Sequence, residues 1–229
     1  MKKTVLMLLI VALSATLLII SCTDDGGTVV VGDIPSDYII RWHLDGNGDD
    51  EGGVHNLSFS GNYDYSSTDQ KEGSHCLLLD GLAASIHYGD HSLANDAVTI
   101  LMWLYVDESA TGEPNALTYV DNGIKYDTAT NLFQGYIGAD NIAASSMSCS
   151  RDQWHHVVLT FDGSLDTLNL YVDNRGPYAA SSTDSIDNLG NEWWLGSKWS
   201  LPEYWVGMID DVVIYERALS DAEVRALYN

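Results

Sequence analysis

The segment from residue 193 to residue 205 is the part of the chain whose side chains best suit contact with a sugar. It holds four of the seven tryptophans. Sugars present flat C–H faces that stack on aromatic rings, while neighbouring polar side chains take their hydroxyls. Because side chains alternate along a strand, we expect Trp193 or Trp194 to point inward. Trp199, Tyr204 and Trp205 flank a proline loop, so we predict that they are exposed and bind a glycan, with packing alone as the alternative.

The histidines and a short acidic loop are the candidate metal ligands, and neither has the spacing of a known metal motif. His155 and His156 are neighbours on a predicted strand and point to opposite faces, so they do not chelate one metal together. Residues 45–49 place oxygen atoms at alternate positions, as an EF-hand loop does. Asp50 stands where that loop needs glycine, however, and Asn56 where it needs glutamate. A polar connection between two strands is the favoured interpretation.

The last strand, residues 207–215, is the element around which the rest of the chain is organised. It carries apolar side chains on both faces, which predicts a central place between two layers, interrupted only by Asp210 and Asp211. Under strict alternation, the apolar residues divide between the two faces as Met208, Val212 and Ile214 on one and Ile209, Val213 and Tyr215 on the other. Ser220 and Glu223 then have the spacing of a capping box, which predicts a short helix over 221–228.

From Tyr38 onward, strand-like runs alternate with clusters of Gly, Asn, Asp and Ser. Residues 98–106, 155–161 and 208–215 are apolar on both faces and should be the central strands. The predicted core includes Trp42, Leu79, Trp103, Trp154, Leu170 and Val213. Roughly 190 residues of this pattern favour one all-β sandwich over two domains.

Several motifs, in order along the chain, resemble one family. They occupy residues 42–46, 77–81, 98–103, 154–173 and 207–223. The last motif reads Gly-x-Ile-Asp-Asp-Val-x-Ile-Tyr and continues into Arg-Ala-Leu-Ser-x-x-Glu. The ordered set resembles laminin-G-like domains of the concanavalin-A-like lectin/glucanase superfamily. This resemblance implies an all-β, two-sheet antiparallel jelly-roll sandwich with one short C-terminal helix, although the fold hosts binders and enzymes alike.

The same resemblance implies a structural calcium site and argues against hydrolysis. In the superfamily, a carboxylate of the last strand joins main-chain carbonyls near the first strands; the matching positions are Asp211, Asp80 and the carbonyl of Gly81. The alternative is that Asp210 and Asp211 bond only to backbone donors. Glucanases of this fold carry Glu-x-Asp-x-x-Glu, whereas no glutamate here has an aspartate two positions later. We therefore predict that the chain is not an enzyme.

Residues 1–21 resemble the signal peptide of a bacterial lipoprotein. Two lysines precede an uncharged run that ends on Ile19-Ile20-Ser21-Cys22. An aliphatic residue and then a small one before cysteine match a lipobox, so Cys22 is predicted to be acylated and to become the mature N-terminus. A plain signal peptide or an uncleaved anchor is the alternative. Residues 22–37 would be the lipid anchor and tether, and 38–229 the folded domain.

The charge and the cysteines limit the partners and the location. A formal net charge of −23 argues against nucleic acid and against anionic lipid head groups. Membrane attachment therefore depends on the lipid of Cys22 alone, which predicts a cell-envelope, outer-membrane or cell-surface lipoprotein. Cys76 and Cys149 form either a disulfide or two buried thiols, and the sequence leaves both open.

These observations favour a non-catalytic module that binds carbohydrate or a glycosylated surface partner, with calcium as its predicted ion. Two alternatives stay open. One is a glycoside hydrolase or polysaccharide lyase of the same fold with displaced catalytic residues. The other is a structural module that contacts proteins.

Replacement of Cys22 by serine tests the anchor. Because serine cannot take the thioether-linked lipid, we expect Cys22→Ser to leave the membrane fraction, while the unaltered chain stays in it. Fractionation of cells expressing each form gives the answer. Persistence of the serine variant in the membrane fraction would refute lipid anchoring.

Overall fold

The structure is a computed structural model that describes residues 21–22, 28–29, 35–89, 93, 96–119, 121–138, 141–144, 147–186, 192–198 and 203–228. The chain divides into two compact units, Met1–Asp33 and Ile34–Asn229. In the first unit the described residues pair as β1 (Ser21–Cys22) and β2 (Thr28–Val29), antiparallel. The predicted signal peptide otherwise lies outside the described residues.

The second unit contains fifteen strands and one helix among its described residues. In chain order these are β3 (Ile40–Trp42), β4 (Ser58–Gly61), β5 (Asp64–Ser66), β6 (Cys76–Asp80), β7 (Ala84–Gly89), β8 (Ala97–Val106), β9 (Asn115–Tyr119), β10 (Asn122–Asp127), β11 (Leu132–Ile137), β12 (Asn141–Ala144), β13 (Trp154–Asp162), β14 (Thr167–Val172), β15 (Arg175–Ser181), β16 (Glu192–Leu195), β17 (Val206–Tyr215) and α1 (Asp221–Ala226).

Two antiparallel sheets form the sandwich. The seven-stranded sheet has the order β12-β11-β10-β9-β16-β7-β4, and the eight-stranded sheet has the order β15-β14-β13-β8-β17-β6-β5. The first strand of the second unit, β3, pairs with β17. The predicted all-β sandwich is confirmed, and so are its three central strands, because β13, β8 and β17 lie side by side in the middle of the larger sheet.

The core lies between the sheets. Along β8, Ile100, Met102 and Leu104 point into it and are at most 1% exposed. Trp42 and Leu170 belong to the same core, as predicted. Trp154 does not, because it is only half-buried and its Nε1 donates to the Asp69 carbonyl, 2.7 Å away.

A second apolar cluster covers the outer face of the eight-stranded sheet. Leu101, Val213 and Tyr215 of the sheet pack there against Leu219 and Val224, the last of them in α1. The predicted capping box is present: Ser220 Oγ accepts from the backbone of Glu223, and the Glu223 carboxylate accepts from the backbone of Ser220. The box fixes the start of α1, and the helix buries apolar side chains that strand alternation leaves on the outside.

A bulge in β17 decides which side chains face the core. Asp210 lies opposite Trp103, yet Val213 lies opposite Leu101, so three steps along β17 match two along β8. Ile209 and Val212 therefore both point inward, and strict alternation is wrong at this point. Asp211 takes a φ of 41°, a left-handed conformation that aspartate tolerates better than most residues.

The Asp210 carboxylate binds the backbone of the loop that precedes β6. One oxygen accepts from the amides of Lys71 and Glu72 at 2.8 and 2.9 Å, and the other accepts from the amide of Asp211. Asp210 has no exposed surface, and this burial raises its pKa to about 7 against the opposing effect of the three amides. The carboxylate thus accepts the backbone hydrogen bonds that the carbonyls of a neighbouring strand would otherwise accept.

Asp211 instead binds the first strand. Its two carboxylate oxygens accept from Nε and Nη2 of Arg41 at 3.0 and 3.2 Å, which is a forked arrangement. The bulge therefore ties β17 to β3 through side chains as well as through their strand pairing.

The two cysteines of the second unit are buried free thiols, so the disulfide alternative does not apply. Burial raises the pKa of Cys76 to about 12, which keeps its thiol protonated. Within the described part of the chain, no helix has the length and apolar character needed to cross a bilayer.

Loss of the guanidinium from the bulge should lower stability. The side chains of Arg41 and Asp211 are 24% and 12% exposed, so we expect Arg41→Met to cost about 2 kcal/mol, somewhat below the loss typical of a fully buried pair. Arg175→Met, at an exposed arginine, should change the free energy of unfolding by less than about 0.5 kcal/mol.

Urea titration of both variants measures the difference. Adding Asp211→Asn to Arg41→Met should recover part of the loss, because it removes the unpaired carboxylate. Equal stability of Arg41→Met and Arg175→Met would contradict a structural role for the forked pair.

Candidate functional site

Aromatic and charged side chains meet on the outer face of the seven-stranded sheet. The strand register brings His87 of β7, Trp194 of β16 and Thr118 of β9 side by side on that face. Gly123 of β10 and Tyr136 of β11 continue the same row. We call this row, together with Ser197, Lys198 and Glu203, the aromatic face.

Trp194 and His87 form the exposed part of the row. Their rings stack with centroids 4.9 Å apart and planes 22° apart, and both side chains are half-buried. The Trp194 indole Nε1 donates to a carboxylate oxygen of Glu192 at 3.2 Å, which fixes the ring orientation. Trp193 points the other way, is 1% exposed and stacks on Tyr119. The expected inward turn of one of the two tryptophans is confirmed, and Trp194 is left as the outward ring.

Both ends of the 196–205 loop are fixed to this face. At its start, the Ser197 carbonyl accepts from Thr118 Oγ1 at 3.0 Å. At its end, the backbone carbonyl of Glu203 accepts from the Asn115 amide, and a Glu203 carboxylate oxygen accepts from Asn115 Nδ2 at 2.9 Å. The segment predicted to contact a glycan is therefore attached at both ends to β9, the strand that pairs with the Trp194 strand β16.

A buried tyrosine supports the charged end of the face. The Tyr136 hydroxyl donates to Asn115 Oδ1 at 2.9 Å, and burial, followed by the nearby Glu203 carboxylate, raises its pKa. Lys125 and Lys198 lie 5.7 and 6.0 Å from the ring centroid of Tyr136. The neutral hydroxyl orients Asn115, and Asn115 in turn orients Glu203.

The two lysines are each paired with a carboxylate. Lys125 contacts Glu113, and Lys198 lies 3.2 Å from Asp121. The face thus offers hydrogen-bond donors and acceptors beside a flat ring. This combination suits a neutral ligand with one apolar side and many hydroxyls better than it suits an ion.

The residues predicted to bind a ligand have three different positions. Trp205 is fully buried, its indole donates to the Tyr105 carbonyl at 3.2 Å, and its backbone amide bonds to Gly196, so the expected exposure is wrong. The chain turns inward one residue before β17, which draws this ring into the core. Tyr204 is half-buried at the end of the loop. Trp199 lies outside the described residues.

The three predicted calcium ligands do not meet. Asp80 lies opposite Val206, five residues before Asp211, a separation of about 16 Å along an extended strand. The Asp80 carboxylate is exposed and accepts from the amide of Leu82, while the Gly81 amide donates to Trp205. Asp211 joins the last strand to the first as expected, but the cation is the guanidinium of Arg41. The strand register thus separates Asp80 from Asp211, and calcium binding at these residues stays a prediction.

The acidic loop at residues 45–49 is a polar connection. Asp45 accepts from the amides of Ser74 and His75, and Asp50 accepts from the amides of Arg41 and His55. Within the described ranges, no group of three or more His, Cys, Asp or Glu side chains has the geometry to hold a metal ion.

His155 and His156 point to opposite faces, as predicted. His155 Nδ1 lies 2.7 Å from an Asp173 oxygen, and its Nε2 lies 2.7 Å from the Ser150 carbonyl. Burial lowers its pKa, but these two hydrogen bonds outweigh burial and leave the pKa raised. One ring nitrogen thus ties β13 to the end of β14, and the other ties β13 to the segment that precedes it.

Comparison with known proteins agrees with this architecture. A family model described as the concanavalin A-like lectin/glucanases superfamily matches residues 80–225. No curated protein sequence matches the chain. Domain 4 of AbnA, a GH43 extracellular arabinanase from Geobacillus stearothermophilus solved with arabinotriose, superposes with a TM-score of 0.65 at 19% identity, covering 84% of this chain and 98% of that domain.

Two further solved structures match over part of their length. Trypanosoma rangeli sialidase in complex with the inhibitor DANA gives a TM-score of 0.65 at 17% identity, over 85% of this chain and 33% of the sialidase. The binding domain of Paraclostridial Mosquitocidal Protein 1 gives 0.66 at 18% identity, over 86% of this chain and 53% of that domain. This chain thus spans about a third and about half of these two chains, and at these identities the likeness shows the fold.

Proposed function

We propose that this chain, which belongs to the concanavalin A-like lectin/glucanases superfamily, binds carbohydrate on the aromatic face without cleaving it. The observation that carries the proposal is the half-buried Trp194 ring, which stacks on His87. Beside it, Thr118 and Asn115 of the neighbouring strand hold Ser197 and Glu203 in place. A fixed ring loses little conformational freedom when a sugar stacks on it.

The polar groups around the ring support the same ligand class. Glu203 is oriented by Asn115, and Lys198 is oriented by Asp121. A sugar hydroxyl both donates and accepts, so it can bind to either group. A ligand with a net charge gains less, because each lysine already has a carboxylate beside it.

The solved structures add support for a carbohydrate partner. The arabinanase domain that matches over nearly its whole length was solved with arabinotriose. The other two matches cover part of a sialidase and part of the binding domain of a mosquitocidal protein. For this chain we infer recognition of an oligosaccharide or a glycosylated surface.

The N-terminal sequence supports a location for the protein at the cell envelope. The apolar run that ends on Cys22 supports a lipid anchor, and the net charge of −23 supports a domain that does not itself lie on anionic lipid. We therefore infer a carbohydrate-binding lipoprotein of the cell envelope, with the lipid on Cys22 as its membrane contact.

Truncation of Trp194 should remove the stacking surface. We expect Trp194→Ala to weaken binding of arabino-oligosaccharides by about tenfold or more, equivalent to about 1.4 kcal/mol. Trp154→Ala removes another half-buried tryptophan, from the eight-stranded sheet, and should leave affinity unchanged. Isothermal titration calorimetry on the purified full chain, with a panel of glycans that includes arabino-oligosaccharides, measures both.

A reducing-end assay on the same glycans separates binding from hydrolysis. Binding without release of new reducing ends is the expected result. Release of sugar would overturn the non-catalytic assignment, and silence in both assays would favour the protein-contact alternative. Equal losses in Trp194→Ala and Trp154→Ala would show that the aromatic face is not the site.

A further inference from the structure

The outer face of the eight-stranded sheet carries a row of apolar side chains that solvent reaches. Backbone pairing places Leu78 of β6 opposite Met208 of β17, and Met208 opposite Tyr105 of β8. Tyr105 in turn lies opposite Trp154 of β13. Leu78 is 38% exposed, and the two aromatic side chains are half-buried. We call these four side chains the apolar row.

Three carboxylates run beside the apolar row. Asp80, Asp107 and Asp152 each lie two residues from a member of the row, toward the same end of the sheet. Each accepts a hydrogen bond from a backbone amide, of residues 82, 109 and 108 respectively, so their positions are fixed. In the described part of the chain, no lysine or arginine forms an ion pair with any of them. We call these three side chains the acidic row.

A cavity of about 360 Å³ lies at the β5 end of both rows. The Tyr63 side chain, 41% exposed, forms part of its lining, together with Leu78 and the carboxylates of Asp64 and Asp80. Asp64 lies opposite Leu78 in the pairing of β5 with β6. An exposed ring beside two carboxylates suits a guanidinium, which stacks on the ring and donates to the carboxylates.

The cationic side chains of this region are engaged elsewhere. Lys71 Nζ lies 4.2 Å from the ring centroid of Trp103, the neighbouring outward residue of β8. The Arg151 guanidinium donates to the backbone carbonyls of residues 108, 110 and 128. Burial raises the pKa of the Tyr105 phenol, and two carboxylates of the acidic row and that of Asp69 raise it further. The surroundings of the apolar row are therefore negative.

This combination selects a cationic partner with an apolar body. Arginine and lysine side chains have an apolar stem, which suits the apolar row, and a charged head, which suits the acidic row. A second copy of this chain, with a net charge of −23, is repelled, and so are nucleic acid and anionic lipid. Within the described ranges, no group of three or more His, Cys, Asp or Glu side chains could hold a metal ion instead.

We propose that the two rows form a docking surface for a basic, extended segment of a partner protein. One arginine of that segment occupies the cavity beside Tyr63, and a second stacks on Trp154 with the acidic row beside it. Three strand spacings, about 14 Å, separate β6 from β13, and an extended peptide covers this distance in about four residues. The surface lies on the sheet opposite the aromatic face, so it does not depend on carbohydrate binding.

Isothermal titration calorimetry at low ionic strength tests the proposal with the purified full chain. The probe is the peptide acetyl-Arg-Leu-Ser-Leu-Arg-amide, whose two arginines are four residues apart. The same peptide with citrulline in place of each arginine keeps the shape and removes the charge. We expect the citrulline peptide to bind about tenfold more weakly or less, because it cannot form charge-assisted hydrogen bonds to the carboxylates.

A pair of matched double variants separates docking from general attraction to an acidic protein. Asp107→Asn with Asp152→Asn removes two charges of the acidic row, keeps their acceptor oxygens and should weaken binding about tenfold. Asp162→Asn with Asp166→Asn removes two charges at the opposite end of β13 and should change the affinity by less than about twofold. The controls match because Asp162, like Asp107, accepts from the serine two residues on, and Asp166, like Asp152, has a positive φ.

Removal of the rings tests the apolar part of the surface. Tyr63→Ala and Trp154→Ala should each weaken peptide binding about fivefold, because each removes a ring on which a guanidinium stacks. Equal losses in the two double variants would overturn the docking surface, as would equal affinity for the citrulline peptide or no binding of the arginine peptide. Carbohydrate affinity reports only on the aromatic face, so the two proposals fail independently.

Discussion

The bulge at Asp210 and Asp211 is the constraint on which the rest of the sandwich depends. Two adjacent carboxylates in a central strand would place one of them in the core if side chains simply alternated. The extra residue of the bulge places both carboxylates on the outer face, while Ile209 and Val212 point into the core. Each carboxylate then binds a different part of the chain: Asp210 accepts from the backbone at residues 71–72, and Asp211 binds the guanidinium of Arg41 in β3.

This arrangement gives the two outer faces different roles. On the eight-stranded sheet, the carboxylates, the loop and α1 enclose an apolar cluster. On the seven-stranded sheet no helix intervenes among the described residues, and Trp194 stays accessible beside a loop fixed at both ends. The outer face of the eight-stranded sheet thus supports the fold, and the outer face of the seven-stranded sheet leaves the Trp194 ring partly exposed.

The sequence predicted the sandwich, its three central strands and the capped helix, because apolar periodicity and capping spacing are local signals. It placed one of Trp193 and Trp194 inward for the same reason. It did not predict that Trp205 is buried, since the turn before β17 depends on a contact with Gly196, nine residues earlier. The support from Asn115 and Tyr136 was also missed, because hydrogen bonds between distant strands leave no pattern in the sequence. The sequence also did not reveal that the Asp211 carboxylate, which the predicted calcium site requires, is bound by the guanidinium of Arg41.

A crystal structure of the chain with a bound arabino-oligosaccharide would show whether the outward face of the seven-stranded sheet holds a sugar against Trp194. We expect a sugar ring stacked on the Trp194 indole, with hydroxyls in hydrogen-bond reach of Lys198 or Glu203. A sugar bound at the ends of the sandwich or elsewhere on its surface, with the Trp194 ring left bare, would contradict it.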